Sequence, residues 1–242
     1  MNDTPAHQNP ESTVPGWRRP IPAEEVQERL GQQAELADWR HRLFGIYTAY
    51  QCPSSAVAVE LLGRIAEVAE ELDHHPDVDW RYEHVFITSC SHDAQGAVTT
   101  RDLRLAGRIS QIAQELGVTA VPEQNTVYDI AVDTRDDSAL EPFWTAALGY
   151  EKDERTGDLR DPHRRGPGFW FQTTDTPQER ALHVDVTGPS SGIQDMRGAL
   201  APLAAGDGED GTFAPRWWIY TDADGNRVCL CTGEITRTDP DA

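Results

Sequence analysis

Between Gly117 and Thr126 the segment GVTAVPEQNT carries a proline, several polar residues and no hydrophobic periodicity, and the stretches it separates have different rhythms. A single continuous core is hard to draw through such a break. The chain has 242 residues, enough for two domains of about 100 to 120 residues that each bury a core of their own. The expected organisation is therefore a domain at 21–118, a linker at 119–125 and a second domain at 126–235, with tails at 1–20 and 236–242. The opening MNDTPAHQNPESTVPG is polar and proline-bearing, which predicts a disordered tail without the apolar core of a signal peptide.

In the first half, PAEEVQERLGQQAELADW reads as a short amphipathic helix starting near Pro22, and RLFGIYTAYQC as one strand. Ser54 or Ser55 can cap a long helix whose apolar residues Ala58, Leu61, Leu62, Ile65, Val68, Ala69 and Leu72 recur at threes and fours. That helix ends just before a His74-His75-Pro76 triplet. DVDWRYEHVFITSCSH is rich in β-branched and aromatic residues and reads as a strand reaching His92. Thr99 then opens a second long helix that Gly117 can close. Helices laid on one side of an antiparallel sheet, an α+β arrangement, follow from this order.

The second half restarts its own pattern. TVYDIAVD (strand), SALEPFWTAALGY (helix, with Ser138 and Glu141 at capping-box spacing) and GFWFQTT (strand) are followed by RALHVDV (strand), SGIQDMRGALAPL (helix) and RWWIYTDADGNRVCLCT. The last reads as two strands joined at Asp224-Gly225-Asn226. Strand, helix and strands are thus used twice.

A formal charge of -20, from 41 acidic against 21 basic residues, makes nucleic acid and anionic membranes poor partners. No apolar run approaches the ~20 residues that span a bilayer, so a cytoplasmic protein is expected. Cys52, Cys90, Cys229 and Cys231 lack the paired spacing of a metal motif and the density of a disulfide scaffold, and read as reduced, mostly buried thiols.

Three histidines, His74, His75 and His92, are gathered where a helix passes into a strand, and imidazole is the side chain suited to moving protons near neutral pH. Glu70, His74-His75-Pro76, Tyr82, His92 and Asp102 together resemble the signature of the pterin-4a-carbinolamine dehydratases. The similarity extends over residues 21–118 and includes Trp39 and the phrase HHPDVDWRYEHV. It implies a domain that removes water from 4a-hydroxytetrahydropterin, a hydro-lyase reaction needing no cofactor. His74 and His92 are then the candidate acid and base, without assignment of which is which. His75, Glu70 and Asp102 are the candidate substrate-binding residues; Glu70, one helical turn before His74, could reach that imidazole or a pterin nitrogen. Asp102 also stands three residues after Thr99, the place of the acidic partner in a helix-start box, which is a structural role. The loop HDAQGAVTTRD departs from the family's shorter turn by one residue and by Gln95, implying a reshaped pocket wall.

FWTAALGY, RALHVDV and WIYTDADGNRVCLC resemble the glyoxalase, bleomycin-resistance and dioxygenase (VOC) superfamily, near its glyoxalase-like branch. The resemblance implies paired βαβββ units around a cavity for a divalent metal or a small molecule. At the positions of its metal ligands stand Asp129, His183 and Cys229, a cysteine replacing the usual glutamate and shifting the set toward a softer ion such as zinc. The alternative is that no metal binds and that His183 and Asp185, on one strand face, merely line a cavity. Trp144, Phe169, Trp170, Phe171, Trp217 and Trp218 are expected mainly in the core. Both resemblances imply a homo-oligomer. The expected function is pterin dehydration with a fused small-molecule-binding domain. The competing functions are a non-catalytic pterin- or drug-binding protein and a metal-dependent VOC enzyme.

Overall fold

The computed structural model describes residues 15–43, 45–175, 182–205, 210–212, 214–221 and 227–232. The tails at 1–14 and 236–242 and the Asp224-Gly225-Asn226 turn lie outside the described residues. The molecule is α+β, built from two sheets, each with its helices on one face.

Helix α1 (Ala23–Gln32) follows Pro22 and buries Val26 and Leu30. The stretch expected as one strand is a hairpin, β1 (Arg40–Arg42) and β2 (Gly45–Gln51), because the backbone reverses through Leu43 at φ 44. Ser54, whose Oγ accepts from Val57 N at 3.3 Å, caps α2 (Ser55–Leu72). The next stretch is likewise two strands rather than one, β3 (Asp77–Arg81) and β4 (His84–Ser89), turning at Tyr82 with φ 56. Strand pattern alone does not register a two-residue turn without Gly or Asn, and neither turn has one. Helix α3 (Thr100–Leu116) ends at Gly117, whose φ of 65 suits a residue without a side chain.

Strands β1, β2, β4 and β3 lie side by side in that order, and β5 (Thr119–Ala120) adds to β2, giving an antiparallel five-stranded sheet. One apolar stripe each of α2 (Leu61, Ile65) and α3 (Leu105, Ile109) packs on Ile46, Tyr50, Val85 and Ile87. At about 1.5 to 3 kcal/mol for each fully buried large aliphatic, this face dominates the stability of the first half. The segment expected as a linker carries β5 and a 3₁₀ turn (Pro122–Gln124), and ends on Asn125, whose Nδ2 donates to Thr48 O at 2.8 Å.

The second sheet has seven strands. Its order is β11 (Trp217–Thr221), β12 (Arg227–Cys231), β10 (Leu182–Thr187), β6 (Val127–Thr134), β9 (Gly168–Thr173), β8 (Leu159–Arg160) and β7 (Glu151–Lys152). The repeat is visible in the pairing: β6 runs parallel to β9 and β10 parallel to β12, while β6 and β10 meet antiparallel at the centre. Among the described residues the first unit has three strands after its helix and the second has two. Helix α4 (Asp137–Leu148) is capped by Asp136, whose carboxylate accepts from Ser138 N at 3.1 Å. The expected Ser138–Glu141 box therefore does not form, and Glu141 instead pairs with Lys152 at 2.6 Å. Helix α5 (Ser190–Leu200) buries Ile193 against Val186, Trp218, Tyr220 and Leu230. Trp144, Phe169 and Phe171 form a second apolar cluster, on the same sheet face. Trp170 and Trp217 are the exceptions among the aromatics expected in the core, since strand alternation puts them on the opposite face, with His183, Asp185 and Cys229.

Candidate active site

Helix α2 ends by turning its chain back toward the sheet. Asp73 takes the left-handed conformation (φ 48), and the amides of Asp73 and His74 donate to Glu70 O (3.2 Å) and Ala69 O (3.0 Å). This two-bond helix end carries His74 inward, where it is buried, and leaves His75 in solvent. His75 Nε2 meets Glu70 at 3.0 Å. Glu70 thus pairs with the outer histidine and not with His74.

The partner of His74 is Asp102. Helix α3 begins with a capping box in which Thr99 N donates to Asp102 Oδ2 at 2.8 Å, so the acidic side chain is folded back under the first turn. There Asp102 is fully buried. Its Oδ1 accepts from His74 Nε2 and Ser89 Oγ, both at 2.7 Å, and its Oδ2 accepts from Ser91 Oγ (2.7 Å) and Thr99 Oγ1 (3.0 Å). Burial pushes this carboxyl up, but the bonds from His74, Ser91 and the Thr99 amide outweigh it and hold the group below its ordinary value. An ionised carboxylate only accepts, so Nε2 of His74 carries hydrogen and Nδ1 is left for other work.

His92 follows β4 and opens a 3₁₀ turn (His92–Ala94); it is exposed. Its ring nitrogen, Cys90 Sγ and an Asp77 oxygen lie within 4.8 Å of one another. Partial desolvation of its ring, then the positive charge of Arg164, depress its proton affinity; Asp77 and Asp102 oppose this and His74 adds to it. His74, His92 and Asp102 therefore share one corner, where α2 and β4 end and α3 begins. Tyr82, the remaining signature residue, sits in solvent at the β3–β4 turn.

Ser89, Ser91, Asp77, Cys90 and Arg164 also stand at this corner, outside the spacing pattern of the histidines. The serines carried a signal: Val85 and Ile87 face the core in alternation, and the same phase then runs into Ser89, a polar residue at an inward position. Arg164 carried none, because it arrives from the other half of the chain.

Residues 19–112 match the family model described as pterin 4 alpha carbinolamine dehydratase, and 129–231 match the glyoxalase-like domain. A Streptomyces coelicolor protein provisionally named a pterin-4-alpha-carbinolamine dehydratase is 36% identical over 94 residues, which is 39% of this chain and 90% of that protein. The chain belongs to the pterin-4-alpha-carbinolamine dehydratase family. The dehydratase half also aligns with a crystal structure titled transcriptional coactivator/pterin dehydratase from Brucella melitensis, at 26% identity and TM-score 0.35, covering 39% of this chain and 99% of that one. A glyoxalase/bleomycin resistance protein/dioxygenase superfamily member from Vibrio splendidus aligns over 45% of this chain and 99% of its own, at 15% identity and TM-score 0.29. No helix among the described residues is long and apolar enough to cross a membrane.

In the glyoxalase-like half the residues that come together are His183, Asp185 and Cys229, with ligand-type atoms within 4.8 Å. Of the expected set Asp129, His183 and Cys229, Asp129 stands outside that group, although it faces Asp185 across the β6–β10 pairing. One imidazole, one carboxylate and one thiol form a donor set suited to a soft divalent ion. Asp185 is, however, already engaged: Trp170 Nε1 donates to it at 3.2 Å and His183 Nε2 lies at 3.4 Å. Burial, then Asp185, push the Cys229 thiol up, so it keeps its proton at neutral pH. Burial also raises Asp129, to about 6, against the pull of Arg160.

Proposed function

We propose that this protein dehydrates 4a-hydroxytetrahydropterin to the quinonoid dihydropterin. The observation that supports the reading most is the buried His74–Asp102 bond of 2.7 Å at the same corner as His92. Loss of water needs a proton delivered to the C4a hydroxyl and one withdrawn from the neighbouring ring nitrogen. His92, held neutral, accepts the ring proton. His74, in its imidazolium form with Nε2–H anchored on the Asp102 carboxylate, gives the Nδ1 proton to the departing hydroxyl and is left as the neutral Nε2–H tautomer. Asp102 acts through His74 by setting its tautomer and ring orientation, the role of a positioning residue. His75 and Glu70, exposed as a pair at the rim, hold the pterin. No cofactor enters this scheme.

The glyoxalase-like half is proposed as a small-molecule-binding unit without a metal, the whole protein as cytoplasmic and self-associating. Strand β3, at the edge of the first sheet with Val78 and Trp80 exposed, is the surface proposed for self-association.

The test is direct. Purified protein should accelerate decay of the 4a-hydroxy adduct, and His74→Ala and His92→Ala should each lose about 10²- to 10⁴-fold while keeping the native circular dichroism spectrum. Pterin binding without any rate above buffer would replace this reading with that of a sequestering protein.

A further inference from the structure

The loop between β8 and β9 is built to present one side chain. Asp161 gathers it: its Oδ1 accepts from His163 N at 2.8 Å, and its Oδ2 from Arg165 N at 2.9 Å and Gly166 N at 2.8 Å. Arg164 N donates to Asp161 O at 2.9 Å, and Arg164 itself takes a left-handed backbone with φ 54. That conformation is uncommon for an arginine and is kept where the surroundings over-determine it. The side chain it presents leaves the glyoxalase-like half and enters the dehydratase half. Its Nη1 bonds Cys90 Sγ and lies 3.4 Å from Asp77 Oδ2. Its Nη2 lies 4.0 Å from where a Cβ on Gly96 would stand, against the loop that follows His92. The cation is thus lodged among Asp77, Cys90 and His92.

We propose that Arg164, contributed by the glyoxalase-like half, is a positioning residue of the dehydratase site: it closes the wall beside His92 and reserves that imidazole for accepting a proton. This rests on the dehydratase reading above. The charged and titratable groups facing His92 are Arg164 from the β8–β9 loop, Asp77 at the start of β3, His74 behind α2, Asp102 in the first turn of α3, and Cys90 in its own segment. Arg164 and His74 disfavour a second proton on His92, and the two carboxylates favour it. Without Arg164 the carboxylates act unopposed except by His74 and partial desolvation. His92 then binds its proton more tightly, and the base is neutral only at higher pH.

The experiment uses the full-length protein with Arg164→Gln and Arg164→Lys. His92 is followed by NMR of its imidazole C–H, assigned by its loss in His92→Asn, and kcat/KM is measured across pH on the same samples. In Arg164→Gln the His92 midpoint and the acid limb of kcat/KM should rise together by about half a unit or more, and Arg164→Lys should restore most of the shift. A purely structural role would lower the melting temperature without moving either midpoint. If the wild type shows no turnover, the dehydratase reading falls and takes this assignment with it. If turnover is present and neither the midpoint nor the limb moves in Arg164→Gln, the Arg164 assignment alone is overturned, and Arg164→Met, which also removes the charge, decides the same question should the glutamine variant not fold.

Discussion

Asp102 shows how one side chain serves two structural duties at once. It closes the first turn of α3 through Thr99 and holds His74 in a single tautomer. Asp102→Asn preserves the shape but offers a donor where only acceptors fit, so kcat should fall about 10- to 100-fold with little change in KM. Stability should fall by about 1 to 3 kcal/mol, read from the urea midpoint. Because its folded value is depressed, the carboxylate stabilises the protein above its ordinary value, and this contribution is lost as pH falls through the depressed one. Asp129 behaves oppositely. Its ordinary value of 3.8 rises to about 6, so its protonated form suits the fold, and what it contributes at low pH is lost as pH rises through about 6. Asp129→Asn, which mimics the protonated form, should therefore add about 2 kcal/mol at pH 8 and nothing at pH 4 in paired thermal melts.

Among the elements, α2 and α3 were legible because their apolar residues repeat at helical spacing and their ends carry Ser54, Thr99 and Gly117. The hairpins were not, since Leu43 and Tyr82 turn the chain in a backbone conformation that their residue types do not advertise. The His74, His92 and Asp102 corner was legible as a spacing pattern. Its serines were visible only as a broken alternation, and its bond geometry depended on Asp73, which nothing in the pattern singled out. Asp73 occupies a left-handed position that glycine fills with less strain, and its own side chain is not part of the site. Asp73→Gly should raise the denaturant midpoint by the equivalent of about 0.5 to 1 kcal/mol and leave activity unaltered.

At the scale of the whole molecule, described side chains tie the connecting segment and the second half to the first. Arg42 Nη1 donates to Asn125 O at 2.7 Å, and the Tyr47 hydroxyl on β2 feels the charges of Asp129 and Arg160 from the other half. Self-association through β3 predicts a solution mass that is a multiple of 26.9 kDa by light scattering, falling to the single-chain value in Trp80→Arg. A mass unchanged by that substitution would move the contact elsewhere. The connecting segment adds one consequence. Since Asn125 is buried and bonded from both its amide and its carbonyl, the peptide between the halves is a splint and not a tether. Arg164 then reaches Cys90 at a high effective concentration. Cleaving the chain near residue 125 would turn that intramolecular contact into a bimolecular one, dependent on the concentration of both pieces.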